Sequence, residues 1–315
     1  MKTEKIYLYA ERKDVTLTTY ILDDSPEMLN GKRRPAVLIC PGGAYLGLSD
    51  REGEPVAMKF VSMGYHAFVL RYSVYGEGKN ENYELDKPLP VKEHCQYPKP
   101  MQEIGMAMLI IRNHAGEWLV DMDKVALCGF SAGSHNVSMY ANSWHTDTVA
   151  GHLGVDAGLL KPAASILCYT LSDYELLESS LQPGFSEAFF EQSTTAYTGE
   201  PKPEKEFLKK ISPAQHVSEK TPPTFLWATS QDSMVPVQNT LVMAKALADQ
   251  GIPFEVHVFE EGEHGMSLAM QASVTTKSQI KPDAAKWADL AGAWLEKRFA
   301  LPIPEDMEAI IGGVL

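Results

Sequence analysis

Two hydrophobic patterns divide the chain. At the start the pattern alternates, over residues 5–9 (Lys-Ile-Tyr-Leu-Tyr) and again over 15–22. Period-two alternation of β-branched and aromatic residues predicts a half-buried antiparallel hairpin. From residue 35 onward the apolar stretches become short and continuous, at 35–40, 65–70, 124–128, 163–169, 224–228 and 254–258. Runs of that length suit strands covered on both faces, as in a parallel sheet. Helical periodicity fills the intervals at 54–63, 100–115, 132–143 and 237–250, the last stopped by Gly251, and again at 282–299. The alternation predicts an α/β fold: a mostly parallel eight-stranded sheet, an N-terminal antiparallel hairpin and helices on both faces. Ligands of such sheets bind beyond the carboxyl ends of the strands.

Two segments break the rhythm. Residues 75–99 form a polar, Pro- and Gly-containing loop. Residues 174–215, rich in Glu, Phe, Ser, Pro and Lys, read as a cap or lid inserted into one domain spanning 1–315. Phe185, Phe189, Phe190 and Tyr197 are aromatic candidates for a pocket wall there, against the plainer reading that they pack short helices together.

Composition narrows the partners. A formal net charge of −13 argues against a nucleic-acid partner, which requires clustered cations, although it leaves room for local basic patches. No apolar run is long enough to span a membrane, and the N-terminus lacks a signal-peptide core, so the expected location is cytoplasmic. Cys40, Cys95, Cys128 and Cys168 form no CxxC pair and read as buried, reduced thiols, with no metal site expected.

The chemistry-bearing residues fall just after strands. Gly129-Phe130-Ser131-Ala132-Gly133 has the G-x-S-x-G form of a nucleophile elbow between a strand and a helix. A serine hydroxyl needs a neighbouring base. His264, in Gly262-Glu263-His264-Gly265, lies on a Gly-flanked loop after the last strand. His257 sits within a strand, and His135, one helical turn beyond Ser131, should face away. Asp232 is the candidate that orients the imidazole, with Asp173 as its rival. An oxyanion hole is expected from the N–H groups of Gly43, Ala44 and Ala132, with Tyr45 as a candidate substrate contact. Glu52 and Glu54 read as the start of a solvated helix.

With these pieces in the order Ser131, Asp232, His264, the chain resembles the α/β-hydrolase superfamily. Within it, the chain is similar to the small lipase/esterase and acetyl-xylan-esterase-like proteins near the hormone-sensitive-lipase branch. The resemblance covers roughly residues 33–299. It rests on Pro41 to Tyr45, Glu52 to Ala57, Gly64 to Leu70, the elbow, Asp232 and His264. Pro41 stands where that branch has His, Ala44 where it has a third Gly, and Ser134 where a further Gly is common; the Ala44 N–H keeps the hole intact. The resemblance implies a serine carboxylesterase acting on short acyl esters, acetyl groups on carbohydrates among them, through an acyl-enzyme and without a cofactor. A peptidase, lactonase or thioesterase would use the same residues, and a non-enzymatic binding module would have lost one of them. The apolar tail 309–315 suggests docking onto its own domain or onto a second copy in a homodimer.

Overall fold

The computed structural model describes residues 1–78, 84 and 87–305, without the side chain of Phe185. The strands are β1 (Lys5–Tyr7), β2 (Thr16–Tyr20), β3 (Arg34–Cys40), β4 (His66–Arg71), β5 (Val120–Phe130), β6 (Ala164–Cys168), β7 (Thr224–Thr229) and β8 (Phe254–Phe259). They form one sheet in the order β1-β2-β4-β3-β5-β6-β7-β8. The first two join it antiparallel, with Lys5 opposite Thr18 and Thr16 opposite Arg71, and all other pairs are parallel.

The continuous apolar runs are explained by two cores, one on each face. Ala36, Leu38 and Cys40 of β3 point to one side, and Val37 and Ile39 to the other. In β5, Val125 and Leu127 share the first side, while Ala126, Cys128 and Phe130 share the second. Each face is then covered by helices. The helices are α1 (Glu54–Ser62), α2 (Lys99–Asn113), α3 (Ala132–Ser143), α4 (Tyr174–Ser180), α5 (Phe185–Thr198), α6 (Lys205–Lys210), α7 (Gln238–Asp249), α8 (Pro282–Ala285) and α9 (Trp287–Phe299). Helices α2, α3 and α7 pack on the first face through residues such as Ile104, Val137 and Leu247. Phe60 of α1 and Trp287, Trp294 and Leu295 of α9 cover the second. Trp227 of β7 stacks on Trp287 at a centroid distance of 5.3 Å.

Helices α4, α5 and α6 occupy the segment that broke the sequence rhythm, and α5 is longer than the short stretches expected there. All four cysteines are free and buried. No helix among the described residues is long and apolar enough to cross a membrane. The tail 309–315, read as a docking segment, lies outside the described residues.

Candidate functional site

The elbow is built by steric exclusion. Ser131 links β5 to α3 with φ 52° and ψ −121°, a region few non-glycine residues adopt. A Cβ on Gly133 would lie 2.1 Å from the Cys40 carbonyl oxygen, and one on Gly129 2.5 Å from that of Gly133. Only glycine fits either position. The Ser131 N–H donates to the Cys168 carbonyl at 3.1 Å, tying the turn to the end of β6.

Two other strand ends bring side chains to this turn. Ser131 Oγ and His264 Nε2 are 2.7 Å apart, and His264 Nδ1 and Asp232 Oδ2 are also 2.7 Å apart. A carboxylate can only accept, so Nδ1 carries the proton and Nε2 is left to accept from the serine hydroxyl. Asp232 is itself held: its Oδ1 accepts the Met234 and Val235 N–H groups at 3.0 and 2.9 Å. Burial opposes the charged imidazole. The Asp232 carboxylate, seconded by Glu52, outweighs it, so the His264 pKa lies above its ordinary value.

The other candidates have different partners. Asp173 caps α4 by accepting the Leu176 N–H at 3.0 Å. His257 bonds Glu255 on its own strand. The His135 ring turns from Ser131: its Nδ1 accepts from the Tyr45 hydroxyl at 2.6 Å, and its Nε2 donates to the Ile211 carbonyl at 2.7 Å. Burial lowers the His135 pKa to about 4, keeping the ring neutral.

The loop after β3 is unusual in its backbone. Gly43, Ala44 and Tyr45 have φ of 137°, 55° and 59°. Tyr45 pins this conformation from behind through His135 and a 4.0 Å stack on Tyr197 of α5. From the cap, Ser193 Oγ donates to the Ala44 carbonyl at 2.9 Å. The N–H groups of Gly43, Ala44 and Ala132 have no acceptor among the described residues. Ala44 and Ala132 line a cavity beside Ser131, and Gly43 does not. Tyr45 lines it too, with its hydroxyl already taken by His135.

That cavity holds about 380 Å³ and is walled mainly by the 174–215 segment, including Leu177, Leu181, Phe189 and Phe190, together with Met234 and Val235. Phe189 and Phe190 therefore meet the cavity, while Tyr197 is buried behind Tyr45. Gln182, Ser186, Ser193 and Ser233 add polar groups to the lining. No group of three or more His, Cys, Asp or Glu side chains among the described residues could hold a metal ion.

Sequence reasoning missed Glu52. The sequence pattern predicts part of a solvated helix start, yet Glu52 is 2% exposed beneath the loop after β3. Glu54, two residues on, does face solvent. Both acids precede an apolar helical pattern, and nothing local distinguishes the one that turns inward.

Comparisons with known proteins agree with this architecture. A family model described as BD-FAE matches residues 25–247. Endo-1,4-beta-xylanase B of Butyrivibrio fibrisolvens is 33% identical over 241 residues, 75% of this chain and 33% of that protein. Esterase LipQ of Mycobacterium tuberculosis is 24% identical, over 72% of this chain and 48% of its own. The chain thus spans between a third and a half of these two relatives. Among solved structures, the carboxylesterase Cest-2923 of Lactobacillus plantarum superposes with TM-score 0.76 and 26% identity, covering 96% of this chain and all of that one. MGS-M1, an α/β hydrolase enzyme from a deep-sea metagenome library, gives TM-score 0.68 at 32% identity over 96% and 99%. An acetyl ester-xyloside bifunctional hydrolase of Caldicellulosiruptor lactoaceticus gives 0.67 at 30% over 93% and 96%.

Proposed function

The chain belongs to the BD-FAE family of α/β hydrolases, and from that premise we propose that it is a serine carboxylesterase cleaving short-chain acyl esters through an acyl-enzyme. The observation that carries this reading is the continuous relay of Asp232, His264 and Ser131, with 2.7 Å at each step, opening onto an apolar cavity.

In this mechanism Ser131 Oγ attacks the acyl carbon as its proton passes to His264 Nε2. Asp232 holds the tautomer that leaves Nε2 free and steadies the imidazolium that forms. The carbonyl oxygen becomes an anion, which the N–H groups of Gly43, Ala44 and Ala132 are suited to receive. The oxyanion re-forms a carbonyl and expels the alkoxide, which leaves with the proton from His264. Water then repeats the sequence on the acyl-enzyme, returning the serine and releasing the acid.

Acetyl esters on carbohydrates are the substrate class we favour. Aromatic faces beside hydroxyl and amide groups suit a sugar ring, and a 30%-identical structural relative is described as an acetyl ester-xyloside hydrolase. The test is a p-nitrophenyl ester series from acetate to octanoate, together with an acetylated xylo-oligosaccharide. Acetate turnover that exceeds octanoate turnover and vanishes in Ser131→Ala is the expected result. Undiminished turnover in Ser131→Ala would end the reading, and a preference for octanoate would end the short-acyl assignment.

A further inference from the structure

Beneath the loop after β3 sits a carboxylate that the proposed chemistry does not use. Glu52 Oε2 accepts the Gly42 N–H at 2.8 Å, and its Oε1 accepts the Tyr169 hydroxyl at 2.5 Å. The same hydroxyl accepts the Ser267 N–H at 3.0 Å, and the Tyr169 ring meets His264 edge-on at 5.0 Å between centroids. Arg51 strengthens the tie: its Nη1 donates to the Gly265 carbonyl at 2.8 Å, and its own carbonyl accepts from Ser267 Oγ at 2.6 Å. A Cβ on Gly42 would lie 2.6 Å from the Phe130 carbonyl oxygen and 2.9 Å from both Glu52 Oε2 and Ser131 Cβ, so only glycine lets the carboxylate and the nucleophile approach this position together. A buried carboxylate is expensive, and for packing alone an apolar side chain fills the space at lower cost.

We propose that Glu52 is a positioning residue for the hydrolytic reaction, locking the oxyanion loop to the His264 loop through Gly42 on one side and Tyr169 on the other. The proposal rests on the reading of Ser131, His264 and Asp232 as the reacting set. Burial raises the Glu52 pKa above the ordinary carboxylate value; the Tyr169 hydroxyl and the Gly42 N–H, with His264 and Arg51 nearby, act against it and favour the anion. Its charge then stands behind Asp232 as a second anion favouring the imidazolium. The groups facing His264 are Asp232, Ser131, Tyr169 and Glu52; those facing Glu52 are Tyr169, the Gly42 N–H, His264, Arg51, Tyr72 and Cys168, the last two being buried and neutral.

Two variants separate bridge from charge. Glu52→Gln keeps the size and removes the charge, whereas Tyr169→Phe keeps the charge and removes the bridging hydroxyl. With p-nitrophenyl acetate, Glu52→Gln is expected to lower kcat by about 10- to 100-fold, less than the roughly 10²- to 10³-fold of removing an oxyanion donor outright, with KM little changed. The acid limb of its kcat/KM profile should move to lower pH. Tyr169→Phe should lower kcat by about 10-fold and leave that limb in place. The double variant should be no worse than Glu52→Gln, because both break one unit. Unchanged kcat with an unmoved limb in Glu52→Gln, or fully multiplicative losses, would overturn the proposal. Should Glu52→Gln fail to fold, undiminished kcat in Tyr169→Phe would do so. Ser131→Ala is assayed alongside. Full turnover there overturns the esterase reading itself, whereas an inactive Ser131→Ala beside an unaffected Glu52→Gln overturns the Glu52 role alone.

Discussion

Across one cavity the molecule presents two differently built walls. On the sheet side, Ser131 lines the cavity and is hydrogen-bonded in turn to His264 and Asp232, and all three sit on turns whose flanking groups are boxed in by backbone or hydrogen-bonded: Gly129 and Gly133 by carbonyls, Asp232 by two N–H groups, the His264 loop by Arg51 and Tyr169. On the cap side, α4 and α5 meet the cavity mainly with Leu177, Leu181, Phe189 and Phe190. Directional bonds hold atoms to tenths of an ångström, which proton transfer needs; apolar contact is non-directional and tolerates repacking. Under the proposed mechanism the sheet side carries the reaction step, and the side formed by residues 174–215 the choice of substrate.

Substitutions should break this division in graded fashion. The largest effect belongs to Ser131→Ala, with kcat for p-nitrophenyl acetate falling by about 10⁶-fold, as when a serine nucleophile is removed elsewhere. Asp232→Asn should cost about 10⁴-fold in kcat, because the amide favours the wrong tautomer. It should also move the acid limb to lower pH, since the main charge raising the His264 pKa is gone. In the unmodified protein His264 must be neutral to accept a proton. Its raised pKa therefore places the midpoint of the acid limb above the ordinary histidine value of about 6.5, with activity lost as pH falls through it. A kcat/KM profile flat down to pH of about 4 would contradict the base assignment.

On the 174–215 side, Leu177→Ala should leave kcat for acetate within about threefold and shift the butyrate-to-acetate ratio by about tenfold, near the low end of what one methylene is worth in an apolar pocket. A kcat loss comparable to that of Asp232→Asn would erase the distinction between the walls. The smallest effect is expected at the strut joining them. Ser193→Ala removes the bond from α5 to the Ala44 carbonyl. It should cost about two- to tenfold in kcat, the worth of one hydrogen bond, with thermal unfolding nearly unchanged.

The two walls also differ in how far the sequence reveals them. On the sheet side local constraint writes itself into residue type: the elbow demands glycine at two fixed positions, and strands with two covered faces demand unbroken apolar runs. Each element could therefore be located, and Asp232 and His264 found after theirs. The cap follows no such rule. Helix α5 begins after Pro183-Gly184 and carries Ser193, Thr194, Thr195 and Thr198, weak helix formers. Thr194, Thr195 and Thr198 bond back to carbonyls four residues earlier, which only the formed helix allows. Tertiary contact, as in the stack of Tyr197 on Tyr45, stabilises what propensity does not. Glu52 escaped for a related reason: between Arg51 and Gly53 it looks like any acid opening a helix, and its partners Gly42 and Tyr169 are remote in the chain.

The relay from Asp232 through His264 to Ser131 is tested most directly by covalent capture. Intact protein is incubated with a fluorophosphonate at neutral pH, and the adduct is located by peptide mass spectrometry. One adduct is expected, on Ser131, absent from Ser131→Ala and strongly slowed in His264→Ala. An adduct that persists in Ser131→Ala, or forms as fast without the His264 imidazole, would contradict the relay.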